Sequence, residues 1–392
     1  MPDDHASHAL LRTRTGHHAA VGNVELFFDL IFVFAITQLS HSLLQHPSPD
    51  GLLHTAILLG AVWWMWIDTA WATNWLDVDK PIVRGLLFVL MGAGLVMSAA
   101  LPKAFGDSGM TFGLALAFFQ ILRTGFVLWA VRGDTVLREN FQRILVWHGA
   151  AALLWAAGGF APVDARLWIW LAALALDSMA PALNFFVPGL GRSHTGDWTV
   201  EGHHLSERLS LFTIIALGES ILVMGATAAG LDWTWTNAAA LLVSFVGSVA
   251  MWWIYFSAAA GAATETIAKS DDPGSIARLA YTYVHIIPIA GIIVTAVGDE
   301  WVLHHPMGHT EPKVALAVLG GPALYLLGVA LFKLAVLGKV SPSRMAGLVL
   351  LGCAAPFSLM LPPLALGAIA TAVLIIVAAW ETIALKRGAM SA

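Results

Sequence analysis

Acidic and basic side chains lie within the apolar segments of this 392-residue sequence. Glu25 and Asp29 are four residues apart, so a helix would place both carboxylates on one face, where like charges repel. They need a cation, a proton or a guanidinium between them. Arg123 and Arg208 are the candidates, because arginine presents a planar fork that matches a carboxylate. Glu219 follows Arg208 by about three helical turns, on nearly the same face.

Charged groups inside a membrane are costly, and each is therefore a functional hypothesis. We expect most of these groups to meet in the cytoplasmic third of the helices, with Glu219 deeper, and to conduct a proton, a cation or a small solute. The alternative is a buried polar network that only holds the helices together. The predicted path residues are Glu25, Asp29, Asp68, Arg123, Asp177, Glu207, Arg208, Glu219 and Glu381.

Histidine and glutamate also cluster where the seventh apolar segment begins. His203 and Glu207 are four residues apart and, with His204, could ligate a divalent metal, although such clusters also serve as helix caps. No other cofactor and no catalytic residue are predicted. The single cysteine, Cys353, excludes an internal disulfide.

Twelve apolar stretches must position these residues. With 58% hydrophobic and only 11% charged residues, the chain is too apolar for a soluble fold, and each stretch is close to the length of about 20 residues that spans a bilayer as a helix. The sequence predicts an all-α polytopic membrane protein. The predicted spans are residues 24–44, 52–75, 82–101, 110–131, 141–160, 167–186, 205–229, 233–263, 277–297, 314–337, 345–361 and 364–385.

Lysine and arginine are distributed asymmetrically over the short loops. If the N-terminus is cytoplasmic, only Lys103, Arg166 and Lys313 lie on the opposite side, and the remaining loop cations lie in the cytoplasm. This predicts an even number of spans and two cytoplasmic termini. The tryptophans are expected mostly in the aromatic belts near the helix ends.

Similar patterns recur in the two halves of the chain. Glu25 and Glu207 open the first and seventh segments, and paired tryptophans, Trp63-Trp64 and Trp252-Trp253, lie in the second segment of each half. Each half has six spans, so the repeats should be parallel. The predicted organisation is a cytoplasmic tail (1–22), a first six-helix repeat (23–188), a linker (189–202), a second repeat (203–387) and a C-terminal tail (388–392).

Three blocks resemble the bacterial low temperature requirement protein A (LtrA) family. They are residues 24–30 (Val-Glu-Leu-Phe-Phe-Asp-Leu) with 32–41, residues 73–77 (Thr-Asn-Trp-Leu-Asp), and residues 203–208 (His-His-Leu-Ser-Glu-Arg) with 211–220. The resemblance covers most of the chain. It implies a bacterial membrane protein associated with growth in the cold.

The first helix also resembles the first-helix motif of the endolysosomal potassium channel family, which is built from two six-helix repeats. The matching positions are Glu25, Phe27, Asp29, Phe32, Ala35 and Thr37. By that resemblance the first and seventh helices would line a path, with Ile36, Leu39, Ile214 and Leu217 as constrictions. Leu211 replaces the acid of the second repeat, so the resemblance does not predict potassium as the ion.

We therefore expect a channel or transporter in the bacterial plasma membrane. Its partners would be the lipid bilayer and a small ion or solute, and a homo-oligomer is compatible with the sequence. No basic patch suggests nucleic acid. Two alternatives remain: an intramembrane metal-dependent enzyme at the cytoplasmic face, and a non-catalytic scaffold needed for cold growth.

Overall fold

The computed structural model of the chain describes residues 10–12, 20–194, 201–258 and 272–390. The predicted N-terminal tail, the linker, the eighth span and the C-terminal tail each lie partly outside these residues. Within them the regular structure is helical, and the extended pairing is limited to isolated bridges such as Leu11 with Leu76.

Twelve long helices occupy the described ranges. Proline in the first turn opens many of them, because its fixed φ suits that position and its missing N–H is not needed there. The ninth helix runs through a π-helical stretch at Arg278–Val284. The helices are α1 (Asn23–Gln45), α2 (Pro49–Trp75), α3 (Pro81–Ala100), α4 (Gly109–Ala130), α5 (Thr135–Phe160), α6 (Val163–Ala182), α7 (Gly202–Ala229), α8 (Trp235–Ala258), α9 (Pro273–Ala277 to Ile286–His304), α10 (Pro312–Leu337), α11 (Pro342–Ala354) and α12 (Pro363–Met390).

Ten of these helices are long and apolar enough to cross a membrane. The two others, α5 and α6, are long enough but contain no stretch as apolar as those of the ten. The predicted all-α polytopic membrane fold is confirmed.

The described residues of Met1–Leu209 and Asp271–Arg278 form one compact unit. In it, α1 packs on α2 and α3, the helices from α3 to α6 each pack on the next, and α2 also contacts α4 and α6. Helices α4 and α5 approach closely at Gly113, where a Cβ atom would lie 2.3 Å from the carbonyl oxygen of Trp155. Small residues permit such close crossings, which give membrane helices their van der Waals contact.

Arg166, near the start of α6, fastens two chain segments of this unit. Its guanidinium donates to the carbonyls of Ala104 (2.8 Å) and Gly106 (2.6 Å) in the α3–α4 loop, and to those of Gly158 (3.1 Å) and Ala161 (3.2 Å) at the end of α5. The last carbonyls of a helix have no partner within the helix. One buried side chain therefore satisfies backbone acceptors from both segments.

The described residues of Ser210–Ser270 and Leu279–Ala392 form the second unit. In it, α8 packs on α9 and α12, α9 packs on α10, α10 packs on α11, and α11 packs on α12. The backbones of α9 and α10 almost touch, since a Cβ atom on Gly291 would lie 2.4 Å from the Tyr325 nitrogen and one on Gly328 would lie 2.4 Å from Pro288 Cδ.

Candidate functional site

Glu25 and Asp29 lie on the buried face of α1, and both side chains are fully buried. Glu25 is in the first turn, where its Oε2 accepts a hydrogen bond from the backbone N–H of Gly22 at 2.8 Å. Phe28 and Phe32 share this face and pack on Phe119 of α4. Local helix geometry and aromatic packing thus hold both carboxylates inside the first unit.

Arg208, in the second turn of α7, contacts both carboxylates. Its Nη2 donates to Asp29 Oδ1 at 2.8 Å, and its Nη1 lies 3.8 Å from Glu25 Oε1. Trp66, in the middle of α2, donates its indole N–H to the same Asp29 oxygen at 2.8 Å, and the guanidinium lies over its ring at 5.8 Å. Arg208 is itself fully buried, so three helices meet around one ion pair.

His204 is one turn earlier on α7 and is fixed at both ring nitrogens. Its Nε2 lies 3.0 Å from Glu25 Oε1, and its Nδ1 lies 3.4 Å from the Asn74 amide nitrogen. Asn74 cannot be reversed without loss, because it accepts from the Glu201 N–H and donates to the Glu201 carbonyl, each at 2.9 Å. His204 Nδ1 therefore faces the Asn74 donor and Nε2 faces the Glu25 carboxylate, an arrangement that suits the neutral tautomer with its proton on Nε2.

Arg12 reaches the cluster from the segment that precedes α1. Its Nη2 donates to Glu25 Oε2 at 3.2 Å and lies 3.2 Å from His204 Nε2. Its Nε donates to the carbonyls of Thr73 and Leu76, at 2.9 and 3.0 Å. Unlike its partners, the Arg12 side chain is 14% exposed.

We call Arg12, Glu25, Asp29, His204 and Arg208 the Glu25 cluster. With His204 neutral, its two carboxylates balance its two guanidiniums. This balance of charge offsets the cost of removing these four charged groups from water. An unpaired buried ion would carry that cost in full. One Asp29 oxygen and the Nε of Arg208 have no hydrogen-bond partner within the described part of the chain.

A second group of polar residues joins α2, α4 and α5. Arg123 Nη2 donates to Asp68 Oδ2 at 2.9 Å, and His148 Nε2 lies 3.4 Å from the same oxygen. Thr124 Oγ1 lies 2.8 Å from the other nitrogen of His148. Arg123 is thus bound to Asp68, and its ion pairing does not include the acids of α1, for which it was a candidate partner.

Asp177 of α6 is held by neutral donors. Gln120 Nε2 donates to one of its oxygens at 2.7 Å and Trp155 Nε1 to the other at 2.9 Å. The predicted single gathering of charges is therefore divided within the first unit. Arg208 pairs with Glu25 and Asp29, and Arg123 pairs with Asp68. Asp177 accepts hydrogen bonds from an amide and an indole group.

Glu381 belongs to the second unit, where it binds Arg344. The Arg344 Nε lies 2.8 Å from Glu381 Oε1, and Ser341 and Ser343 donate to that oxygen at 3.1 and 2.9 Å. Both ends of this ion pair are buried. Its partners lie on α11 and in the turn just before it, so Glu381 fastens α12 to α11.

The remaining predicted residues differ in exposure. Glu219 is 3% exposed, Leu217 is 4% exposed, and Ile36 and Leu39 of α1 are buried. Ile214, however, is 44% exposed. Its position favours Leu217 as the α7 residue that faces the protein interior.

The residues considered as metal ligands have other contacts. His204 is bound as described above, and Glu207 Oε2 accepts from the backbone N–H of Val21 at 3.2 Å. Across residues 10–12, 20–194, 201–258 and 272–390, no group of three or more His, Cys, Asp or Glu side chains is arranged to hold a metal. Glu207 thus fastens the chain before α1 to α7.

Several members of the site could not be recognised from the residue pattern. Arg12 lies in the predicted tail, and Asn74 stands out in the sequence only within the family motif of residues 73–77. The tryptophans are expected mostly in aromatic belts, yet Trp66 and Trp155 are fully buried and bind acids. The available signal for Trp66 was its position in the middle of α2 rather than at an end.

This architecture defines a polytopic helical membrane protein with charges buried among its helices. The chain belongs to the bacterial low temperature requirement A (LtrA) family, whose model matches residues 20–379. A relative in Rhizobium meliloti (strain 1021), described as an uncharacterized protein, is 38% identical over 365 residues, which cover 92% of this chain and 89% of the relative. No solved structure matches the chain. The family resemblance of the α1 and α7 motifs is confirmed.

Proposed function

We propose that this LtrA-family protein moves a proton, a cation or a small solute across the bacterial plasma membrane, along a path that α1 and α7 line. The Glu25 cluster carries the proposal, because its acids, Arg208 and His204 are all fully buried. A protein that only anchored itself in lipid would need no such charges. Buried ion pairs seldom stabilise a protein more than apolar packing does, whereas intramembrane charges mark ion and solute paths.

The polar face of α7 supports a path that continues beyond the cluster. Glu219 follows Arg208 by 11 residues, which places it about 20° around the helix and about 16 Å further along it. Both side chains are buried. A proton or cation that leaves the cluster would therefore meet a second carboxylate on the same helix face.

The buried face of α1 supports an apolar barrier between polar regions. After Asp29 this face continues with Phe32, Ile36 and Leu39, all at most 1% exposed. Apolar constrictions control permeation by excluding water until the pore widens. We propose that Ile36 and Leu39 form the α1 side of this barrier.

Helix packing within each unit supports the proposed duplication. In both units the second helix packs on the sixth, and the third to sixth helices each pack on the next.

The Glu25 cluster lies where α1 and α7 begin and α2 ends. With both termini in the cytoplasm, as the loop cations favour, it would lie at the cytoplasmic end of the path.

Proton and cation flux into proteoliposomes tests this function. We expect the purified protein to dissipate an imposed proton gradient, read with an enclosed pH dye, or an imposed potassium gradient, read with an enclosed potassium-sensitive dye, and Glu219→Gln to abolish this flux. The amide preserves the shape of the side chain but cannot exchange a proton or carry the charge that binds a cation.

Glu139→Gln is the matched control, because Glu139 is an exposed carboxylate paired with Arg143 at 3.4 Å. It should leave the flux unchanged. Full flux in Glu219→Gln would remove Glu219 from the path. No flux of protons, cations or small solutes through well-folded wild-type protein would leave the scaffold alternative.

A further inference from the structure

The guanidinium of Arg12 lies among hydrogen-bond acceptors whose positions are set by α1 and α2. Glu25 Oε2 receives one N–H, and the carbonyls of Thr73 and Leu76 receive another. These carbonyls belong to the C-terminal end of α2, where unpaired carbonyls and the helix dipole both attract a cation. Two independent sources of negative potential, a carboxylate and a helix end, therefore converge on one position.

The geometry of these acceptors suits a planar cation with several hydrogen-bond donors. Guanidinium offers five N–H groups in a rigid fork, and here the Nε edge and one terminal nitrogen are used by acceptors on different helices. Glu25 is fully buried, whereas the Arg12 side chain is 14% exposed and thus lies between Glu25 and the solvent.

The backbone connection that holds Arg12 in place is short. The Arg12 N–H donates to the Trp75 carbonyl and the Asp77 N–H donates to the Leu10 carbonyl, each at 2.8 Å. Leu11 pairs with Leu76 in the bridge between them. Among the described residues, opening of this segment would break these two backbone bonds and the Arg12 side-chain contacts, and it would uncover Glu25 while the helices remain folded.

We propose that Glu25 and the C-terminal carbonyls of α2 form a binding site for a guanidinium-type cation, and that Arg12 occupies this site as an intramolecular ligand. Release of residues 10–12 opens the site to a free cation. This inference deepens the proposed transport function, since it names the class of cation that the cytoplasmic end of the path accepts and the segment that covers it.

Chemical rescue of Arg12→Ala tests the site through binding alone. In detergent, the variant should have a lower thermal unfolding midpoint than the wild type, read by intrinsic tryptophan fluorescence. Guanidinium chloride at millimolar concentration, far below the denaturing range, should raise that midpoint saturably toward the wild-type value. Tetramethylammonium at equal ionic strength should not, because it has the charge but no N–H donor.

Two further variants separate a specific site from general stabilisation. Arg12→Ala/Glu25→Gln should lose the rescue, because the carboxylate is gone. Arg84→Ala, which removes a surface guanidinium bound to Asp79 and to the Val78 carbonyl, should show none. If Arg12→Ala does not yield folded protein, Arg12→Gln is titrated in the same way.

Rescue limited to the Arg12 variants and dependent on Glu25 supports the site. Equal shifts with tetramethylammonium, equal shifts in the Glu25→Gln double variant, or no shift at all would overturn it. Because this measurement involves no flux, a protein that binds guanidinium but transports nothing would refute the proposed function and leave the site intact.

Discussion

Substitution of Asp29 by asparagine isolates the energetics of the ion pair at the centre of the site. The amide has nearly the same shape and still offers Oδ1 to the Trp66 indole, so the change mainly removes a charge. Among the described residues, Arg208 would then lie fully buried with Glu25 as its remaining ion-pair partner, at 3.8 Å. We expect a substantial loss in the free energy of unfolding.

The magnitude follows from the geometry. The Arg208 and Asp29 atoms are 2.8 Å apart, so the charge centres are separated by about 4 Å, and the attraction at an effective dielectric constant of about 20 is about 4 kcal/mol. Removing one partner of a buried pair costs about 3–5 kcal/mol, mostly because the other charge is left uncompensated. Glu25 remains near Arg208, so we expect a loss of about 3 kcal/mol for Asp29→Asn.

A double-mutant cycle measures the coupling. Asp29→Asn, Arg208→Met and the double variant are unfolded with denaturant in detergent and followed by tryptophan fluorescence. The double variant should lose much less stability than the sum of the single variants, with a coupling of about 2–3 kcal/mol, because neither charge is then left buried alone.

The surface pair of Arg84 and Asp79 is the matched control, since its nitrogen–oxygen distance is also 2.8 Å but its side chains are 46% and 84% exposed. The same cycle there should give a coupling below about 1 kcal/mol. Additive losses at Asp29 and Arg208, or equal couplings for the two pairs, would refute the argument that burial makes the central pair strong.

Two further outcomes follow from the packing. Asp177→Asn keeps one acceptor oxygen and should lose one of the two hydrogen bonds described above, which lowers the free energy of unfolding by about 1–3 kcal/mol in denaturant titration; a loss near zero would contradict it. Gly291→Val should prevent α9 from reaching α10, because its Cβ would lie 2.4 Å from the Tyr325 nitrogen, and should lower the yield of monodisperse protein on size-exclusion chromatography. A Cβ at Gly85 meets nothing within 4 Å, so the control variant Gly85→Val should give a normal yield. Equal yields of the two variants would contradict the close crossing.

Much of the fold follows from hydropathy alone. The predicted first span at 24–44 lies within α1, and the predicted tenth span at 314–337 ends with α10. Lipid-spanning helices satisfy their backbone hydrogen bonds locally, so a run of apolar residues with proline at its start is sufficient information. The π-helical stretch in α9 left no such signal, because it changes the hydrogen-bond register without changing the composition.

The site was only partly predictable, for a different physical reason. Charge cost and helical spacing point to Glu25, Asp29 and Arg208, and Arg208 does lie beside both carboxylates. The pairing of Arg123 depended instead on how α4 packs against α2. A sequence gives the periodicity within one helix, but the rotation of a helix against its neighbour is decided by many small packing contacts.

Arg166 makes two separate stretches of backbone depend on one side chain. The same guanidinium donates hydrogen bonds to the carbonyls of the α3–α4 loop and of the end of α5. Neither stretch can therefore loosen alone without leaving guanidinium N–H groups with fewer acceptors. The two should lose their order together, as one cooperative event. Lysine at this position would bring a single point charge with fewer donors, and limited proteolysis would then cut both stretches at matching rates.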